Sequence, residues 1–234
     1  MDADVDVAAV AALVGDPTRA RMLTALMDGR ARTAKELAYG AAVTPQTASS
    51  HLAKLTRARL LAMERQSRQR YFRLAAPAVA HAVEALMAVS YPRPGGARPD
   101  GALDGLRIAR HCYDHLAGRL GVRVTEAMVR RRLLKPTGRE FVLTAAGERF
   151  LHRFGVDVGR ARKERRAFAR QCLDWSEGRP HLAGSLGAAV ARRCVDLRWV
   201  QRVAEERTLA LTPRGLRGLR TWFGISWERR ASQT

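Results

Sequence analysis

The chain opens with a run that is apolar on nearly every side, VDVAAVAALV at 5–14, as in a helix packed against a partner. Asp16-Pro17 then supplies a capping carboxylate followed by proline at a first helical position, which predicts a second helix through RARMLTALM to Gly29. Thr33 and Glu36 are spaced as a capping box, each side chain satisfying the other's free backbone amide, ahead of a short helix through Leu37 and Ala38 that Gly40 closes. Thr44-Pro45 repeats the cap-and-proline signal and opens a helix over QTASSHLAKLTRAR, with Ala48, Leu52 and Leu55 at helical spacing on the buried side. Beyond Leu60 the pattern alternates. Leu61, Met63 and Arg65 lead up to Gln66-Ser67-Arg68-Gln69, and Arg70 to Leu74 return, so a hairpin with a basic, polar tip is expected. A helix from Pro77 to about Ser90 completes this half.

Two helices joined by a tight turn, the second fringed with small polar residues and followed by a hairpin, outline a winged helix-turn-helix. A tip of arginine, serine and glutamine suits phosphate or minor-groove contacts, which makes Arg65, Ser67, Arg68 and Arg70 candidates for positioning the protein on a duplex.

The run DPTRARMLTAL…TAKELA…VTPQTASSHLAKLTRARLL…RQRYFRL, from Asp16 to Leu74, resembles the ArsR/SmtB family of bacterial winged-helix repressors over about 80 residues. The resemblance implies a homodimer paired through its first and last helices, with each recognition helix in a major groove of a palindromic operator. It makes Thr44, Gln46, Thr47, Ser49, Ser50 and His51 candidates to face bases, with Lys54 and Arg57 nearer the phosphates. His51 has an alternative role packing within the fold. The family's soft-metal thiolates have no counterpart here, since ELAYGA places Ala38 and Gly40 at those positions. The family's other metal site would fall on the last helix, which offers only His81 and Glu84, too few for a tetrahedral ion.

The second half repeats itself. HLAGRLG at 115–121 and HLAGSLG at 181–187 lie 66 positions apart, Leu143, Thr144 and Gly147 match Leu211, Thr212 and Gly215 at an offset of 68, and Cys112-Tyr113-Asp114 echoes Cys172-Leu173-Asp174. Three matched blocks in one order imply two copies of one unit. Each copy reads as a helix (IARHCYDHLAGRLGV and RQCLDWSEGRPHLAGSLGAAV), a further helix, a strand ending in Leu-Thr, and a threonine-capped last helix, like a degenerate winged helix. The segment between them, GRARKERRAFAR at 159–170, reads as a basic helix, either solvated or touching phosphate. Trp175, Trp199, Trp222 and Trp227 all lie here, with Phe141, Phe150, Phe154, Phe168 and Phe223, and either fill a core or line a pocket.

On a helix, His111 and His115 would share a face, as would Cys112 and His115. Cys172, Asp174 and His181 repeat the thiol, carboxylate and imidazole of Cys112, Asp114 and His115, so these seven residues are candidates for sensing a metal, an oxidant or an electrophile; the alternative is that the cysteines are core and the histidine a cap.

Composition adds bounds. The 234 residues carry 42 basic and 22 acidic side chains, a formal +20. Residues 1–92 hold 12 and 8 of these, and residues 93–234 hold 30 and 14, so the second half is at +16. Such surface favours polyanions, although only four of the 42 are lysines, as a GC-rich genome would also produce. No window approaches a membrane span, the first residues carry three aspartates where a secretory leader would be basic, and three cysteines without CxxC spacing form no disulfide framework, so a cytoplasmic protein is expected. Phosphate-loop, dinucleotide, nucleophile-elbow and zinc-protease motifs are all missing, so no enzyme is expected and no cofactor is required.

The reading is therefore a mainly α chain with small β wings: a winged helix-turn-helix for DNA binding and dimerisation at 1–91, a linker at 92–104, and a C-terminal domain at 105–226 of two duplicated winged-helix-like units (105–158 and 166–226) that senses an effector. The expected function is sequence-specific binding of double-stranded DNA by a dimeric repressor that an effector releases. The alternatives are a sequence-tolerant architectural DNA binder, which the +16 would suit, and a thiol-based enzyme built on Cys112 and His115 and fused to a DNA-binding domain.

Overall fold

The computed structural model of the chain describes residues 6–90, 102–203 and 207–227. Most of the expected linker, with its Pro/Gly-rich stretch, and the aspartates Asp2 and Asp4 lie outside the described residues. The chain divides into two compact units, 1–83 and 84–234.

In the first unit, α1 (Val7–Val14) begins where the Asp6 carboxylate accepts from the Ala9 amide, and α2 (Pro17–Ala25) begins in the same way at Asp16. A 3₁₀ turn and Gly29, at φ +73°, end α2 and lead into β1 (Arg32–Thr33). Both halves of the Thr33/Glu36 capping box form at the start of α3 (Ala34–Ala41). The turn after it is made by Ala42 in the left-handed region at φ +55°, and not by Gly40, which is taken into the helix. Helix α4 (Pro45–Arg57) follows, and then β2 (Leu61–Gln66) and β3 (Gln69–Leu74), which with β1 form an antiparallel sheet in the order β1-β3-β2. Met22, Leu23, Leu26, Met27, Leu37, Ala48, Leu52, Leu55, Phe72 and Leu74 are buried together as its core. The division between the units falls within α5 (Pro77–Val89).

The second unit starts with α6 (Ala102–Ile108), followed by a two-residue-turn hairpin, β4 (Arg110–Cys112) and β5 (His115–Ala117), and by α7 (Gly118–Arg130). Next come the hairpin β6 (Leu134–Thr137) and β7 (Glu140–Leu143), α8 (Ala145–Phe154) and the short α9 (Val158–Arg162). The order then recurs: β8 (Arg170–Leu173), β9 (Pro180–Ala183), α10 (Gly184–Asp196), β10 (Val200–Arg202), β11 (Leu209–Leu211) and α11 (Pro213–Phe223). Thr144 and Thr212 cap α8 and α11 through the amides of Gly147 and Gly215.

The backbone pairing is reciprocal. The Phe141 amide donates to the Ala169 carbonyl at 2.7 Å and that of Gln171 to the Arg139 carbonyl at 2.9 Å, which joins β7 to β8. The Leu209 amide donates to Ala109 at 2.8 Å and that of His111 to Arg207 at 2.9 Å, joining β11 and the chain before it to β4. Helix α7 packs on β9, and α10 packs on β5. Glycine is needed at the start of both helices for a local reason: a Cβ on Gly121 would fall well inside 3.0 Å of the Leu116 carbonyl oxygen, and one on Gly187 would do the same at the Leu182 carbonyl.

Several local expectations are corrected here. Residues 110–117 form a hairpin, not a helix. Tyr113, at φ +62°, turns the chain, the strand pairs with the segment around Thr208, and the helix starts only at Gly118, whose φ of +72° no preceding helix would tolerate. The helical spacings inferred for His111, Cys112 and His115 therefore do not apply; Cys112 and His115 face each other across the hairpin. Residues 170–183 likewise form β8, a loop and β9, with α10 beginning at Gly184 (φ +79°). The basic segment at 159–170 is helical only as far as Arg162 and ends in β8. Of the two roles open to the aromatics, Phe150, Phe154, Trp199, Trp222 and Phe223 take the core one, as a cluster of tilted and edge-on rings, with Phe150 and Phe154 stacked, at centroid distances of 5.1–6.3 Å.

Candidate functional site

Two places concentrate chemistry. The first is the exposed side of α4 with the wing. Burial of Ala48, Leu52 and Leu55 turns Gln46, Thr47, Ser49, Ser50, Lys54 and Arg57 outward, and all six are exposed. Thr44 is exposed too, but its hydroxyl accepts from the Thr47 amide and lies 2.9 Å from the Thr47 hydroxyl, so it serves first as the cap. His51 turns toward α2: its Nδ1 lies 3.8 Å from an Asp16 carboxylate oxygen and 3.4 Å from Nη1 of Arg19, in keeping with the packing role. Arg65, Ser67, Arg68 and Arg70 are exposed along the wing, where Ser67 turns the hairpin at φ +53°. Ser49, Arg57 and Arg70 border one small, mainly apolar cleft with Ala34, Ala53, Met63 and Phe72, which lies between α4 and the wing.

The second place is buried in the other unit. The ligand atoms of Cys112, His115, Cys172 and His181 lie within 4.8 Å of one another, and all four residues are buried. The two sulfurs are 4.0 Å apart and the two Nε2 atoms 3.1 Å apart. Strand register produces this convergence, since Cys112 is paired with His115 and Cys172 with His181 across their hairpins. Asp114 Oδ1 lies 3.3 Å from Nδ1 of His115, and Asp174 Oδ2 lies 3.2 Å from Nδ1 of His181. Arg166 holds Asp114 by a short ion pair. Asp174 is held by Arg110 at 3.0 Å, by the Gly118 amide at 2.6 Å and by the Ser176 hydroxyl at 2.7 Å. Arg110, fully buried, also pairs with Glu84 at 3.2 Å and stacks 4.5 Å over the Trp175 ring.

The electrostatics follow from these contacts. The hydrogen bond between the sulfurs, and burial after it, push the Cys112 thiol well above the usual range. The same bond lowers Cys172; burial opposes this, and His115 and His181 lower it further, so the pair favours one thiol beside one thiolate. Burial would lower His181, but Asp174 and Cys172 outweigh it and raise the imidazole to about 9. Burial would raise Asp174, but His181 and Arg110 hold it far below the ordinary carboxylate range. Cys194 is outside the cluster, and burial pushes its thiol up to about 12.

Of the seven sensor candidates, Cys112, His115, Cys172 and His181 thus supply converging donors and Asp114 and Asp174 back the imidazoles, while His111 is buried but is not one of the four. Sequence reasoning missed the supports Arg110, Arg166 and Ser176, and weighed Glu84 only as a metal ligand on the last helix; a buried arginine among 42 basic residues carries no mark in the sequence. On α5, Glu84 is turned to Arg110 and Arg207.

Among the described residues no helix is long and apolar enough to cross a membrane. Residues 14–64 match a family model described as a helix-turn-helix domain. Over 211 residues the chain is 39% identical to the uncharacterized HTH-type transcriptional regulator YdfF of Bacillus subtilis (strain 168), covering 90% of this chain and 93% of that one. Similar solved structures include the cadmium metal-sensor CMTR of Mycobacterium tuberculosis, 30% identical, with 40% of this chain and all of that one covered, at a TM-score of 0.32. They also include the homodimeric winged helix-turn-helix DNA-binding domain of Mb0332 from Mycobacterium bovis, 25% identical, covering 36% of this chain and 76% of that one, at a TM-score of 0.33. With the likeness to YdfF running through both units, the chain belongs to the family of HTH-type transcriptional regulators and carries its helix-turn-helix DNA-binding domain at the N-terminus.

Proposed function

We propose that the protein is a dimeric, sequence-specific repressor of transcription, acting in the cytoplasm on a palindromic operator and released by an effector bound in the C-terminal unit, with no catalytic step of its own. The observation that carries this is the outward row of Gln46, Thr47, Ser49 and Ser50 on α4, flanked by Lys54 and Arg57 and by the arginines of the wing. Short polar side chains and an amide read base edges, and arginine and lysine at the margins neutralise phosphates. Dimerisation is supported by α1, which is made of apolar residues yet has none buried within the single chain. Two copies would place their recognition helices one turn of DNA apart, about 34 Å. The domain reading keeps the winged unit at 1–91, the linker at 92–104 and two related units at 105–158 and 166–226; the reciprocal pairing of β7 with β8 and of β11 with β4 favours a duplication.

The test is a pair of substitutions assayed against a selected operator and random DNA. Arg68→Ala should weaken binding to every sequence alike and lower the slope of log affinity against log salt by about 1. Gln46→Ala should instead relax preference at a single base pair, by about 1–3 kcal/mol, and leave the slope unchanged. Equal scaling of all affinities by both substitutions would overturn the assignment of reading and positioning roles. A slope that falls steeply with no preferred sequence in the unmodified protein would favour a sequence-tolerant architectural binder.

A further inference from the structure

We propose that Cys112, His115, Cys172 and His181 form a closed tetrahedral site for a thiophilic divalent cation of the zinc class, which fastens the hairpins β4–β5 and β8–β9 to each other. Metal–sulfur bonds of about 2.3 Å and metal–nitrogen bonds of about 2.0–2.1 Å arranged tetrahedrally put the two sulfurs about 3.8 Å apart and the two nitrogens about 3.3 Å apart. The like-atom separations here are 4.0 Å and 3.1 Å and all four donor atoms lie within 4.8 Å of one another, against about 3.6 Å for a tetrahedral sulfur–nitrogen pair, so binding an ion draws the widest pairs in by about 1 Å. Two thiolates and two neutral imidazoles around a divalent cation carry no net charge, which is the condition under which such a group can sit in a buried place.

The surroundings match a metal centre more closely than a thiol pair. Each imidazole has a carboxylate beside Nδ1, Asp114 at 3.3 Å from His115 and Asp174 at 3.2 Å from His181, so Nδ1 keeps its proton while an ion displaces the one on Nε2 and takes that nitrogen's lone pair. Both carboxylates are themselves held, by Arg166 and by Arg110, so their orientation does not depend on the ion. A redox pair alone would require the two sulfurs, and would leave unexplained two imidazoles converging on the same point from opposite hairpins. Four protein donors with no open position fit a site that orders structure, and not one that activates a water. Cys172 is the least buried of the four, at 7% exposed.

The mixed sulfur and nitrogen donor set selects zinc, cobalt or cadmium over magnesium and calcium, which prefer oxygen. The inference does not rest on the DNA-binding reading, and a chain that takes up zinc but ignores operator DNA would contradict that reading alone.

The experiment titrates the full-length, reduced, metal-free chain with zinc against a chromophoric chelator, and with cobalt followed by absorption. One ion per chain is expected, with tetrahedral cobalt bands in the visible and a thiolate-to-cobalt charge-transfer band in the near ultraviolet. Cys172→Ser should lose at least a hundredfold in affinity, and Cys194→Ser should bind as the parent does. Because Cys172→Ser carries a risk of misfolding, Asp114→Asn, at a partly exposed position, is the second variant: it should lose about 10–100-fold while keeping the tetrahedral cobalt spectrum. No uptake by the parent, an octahedral spectrum without charge transfer, or Cys172→Ser binding as tightly as the parent would each overturn the assignment.

Discussion

Arg110→Met should be among the most destabilising single changes in the second unit, costing about 3–5 kcal/mol. The guanidinium is completely buried and bridges two buried carboxylates, Asp174 at 3.0 Å and Glu84 at 3.2 Å, and also donates to the Leu106 carbonyl at 3.1 Å. Methionine fills comparable space but leaves both acids inside the protein without their shared cation. All four tryptophans lie in this unit, so urea unfolding followed by tryptophan emission reports on it selectively. Since Trp175 lies directly under Arg110, the emission of the folded variant should change as well, and circular dichroism supplies the independent midpoint. A midpoint within experimental error of the parent's would show that the bridge contributes nothing net. The double variant Arg110→Met/Asp174→Asn should recover part of the loss, because it removes one of the stranded charges.

Gly215→Ala and Gly147→Ala should each destabilise by about 1–3 kcal/mol, the reverse of what a helix position ordinarily does. Neither glycine has a positive φ, so alanine is acceptable to the backbone itself. The obstacle is space. A Cβ on Gly215 would fall well inside 3.0 Å of the Trp199 carbonyl oxygen, and one on Gly147 would do the same at the Leu133 carbonyl. The first turns of α11 and α8 lie directly against the turn that precedes each hairpin, and a methyl group would lift the helix off it. Gly40 is the control: it lies in α3 with nothing within 4 Å of the place a methyl group would take, and Gly40→Ala should stabilise the first unit by about 0.5–1 kcal/mol. Thermal unfolding of the three variants separates the effects by sign. Stabilisation at Gly215 or Gly147 would mean that the close approach of helix to carbonyl is absent in solution.

The first unit was legible because its signals are local. Asp16-Pro17, Thr33 with Glu36, and Thr44-Pro45 each mark a helix start through hydrogen bonds made within four residues, and all three caps are formed. The wing, likewise, follows from alternation and its polar tip. In the second unit the threonine caps at Thr144 and Thr212 were legible for the same reason, and so was the recurrence of Cys, Asp and His.

What local pattern could not supply was the state of the segments holding those residues. RHCYDHLA has enough helix-compatible residues to pass for a helix, yet its hydrogen bonds go to partners near Arg207 and Thr208, about 100 positions away. A tertiary partner of that kind overrides propensity without leaving a local trace. Sequence pattern thus singled out these residues but misplaced their geometry: Cys112 and His115 meet across a turn, and the set is completed only when Cys172 and His181 arrive from the other hairpin.

The most direct measurement is the affinity of the purified chain for the DNA immediately upstream of its own coding sequence, set against a scrambled duplex of equal length and composition across a range of salt concentrations. The account predicts preference for the native duplex by roughly a thousandfold or more, with the slope against salt reflecting contacts from Lys54, Arg57 and the wing arginines. Equal affinity for both duplexes at every salt concentration would contradict it.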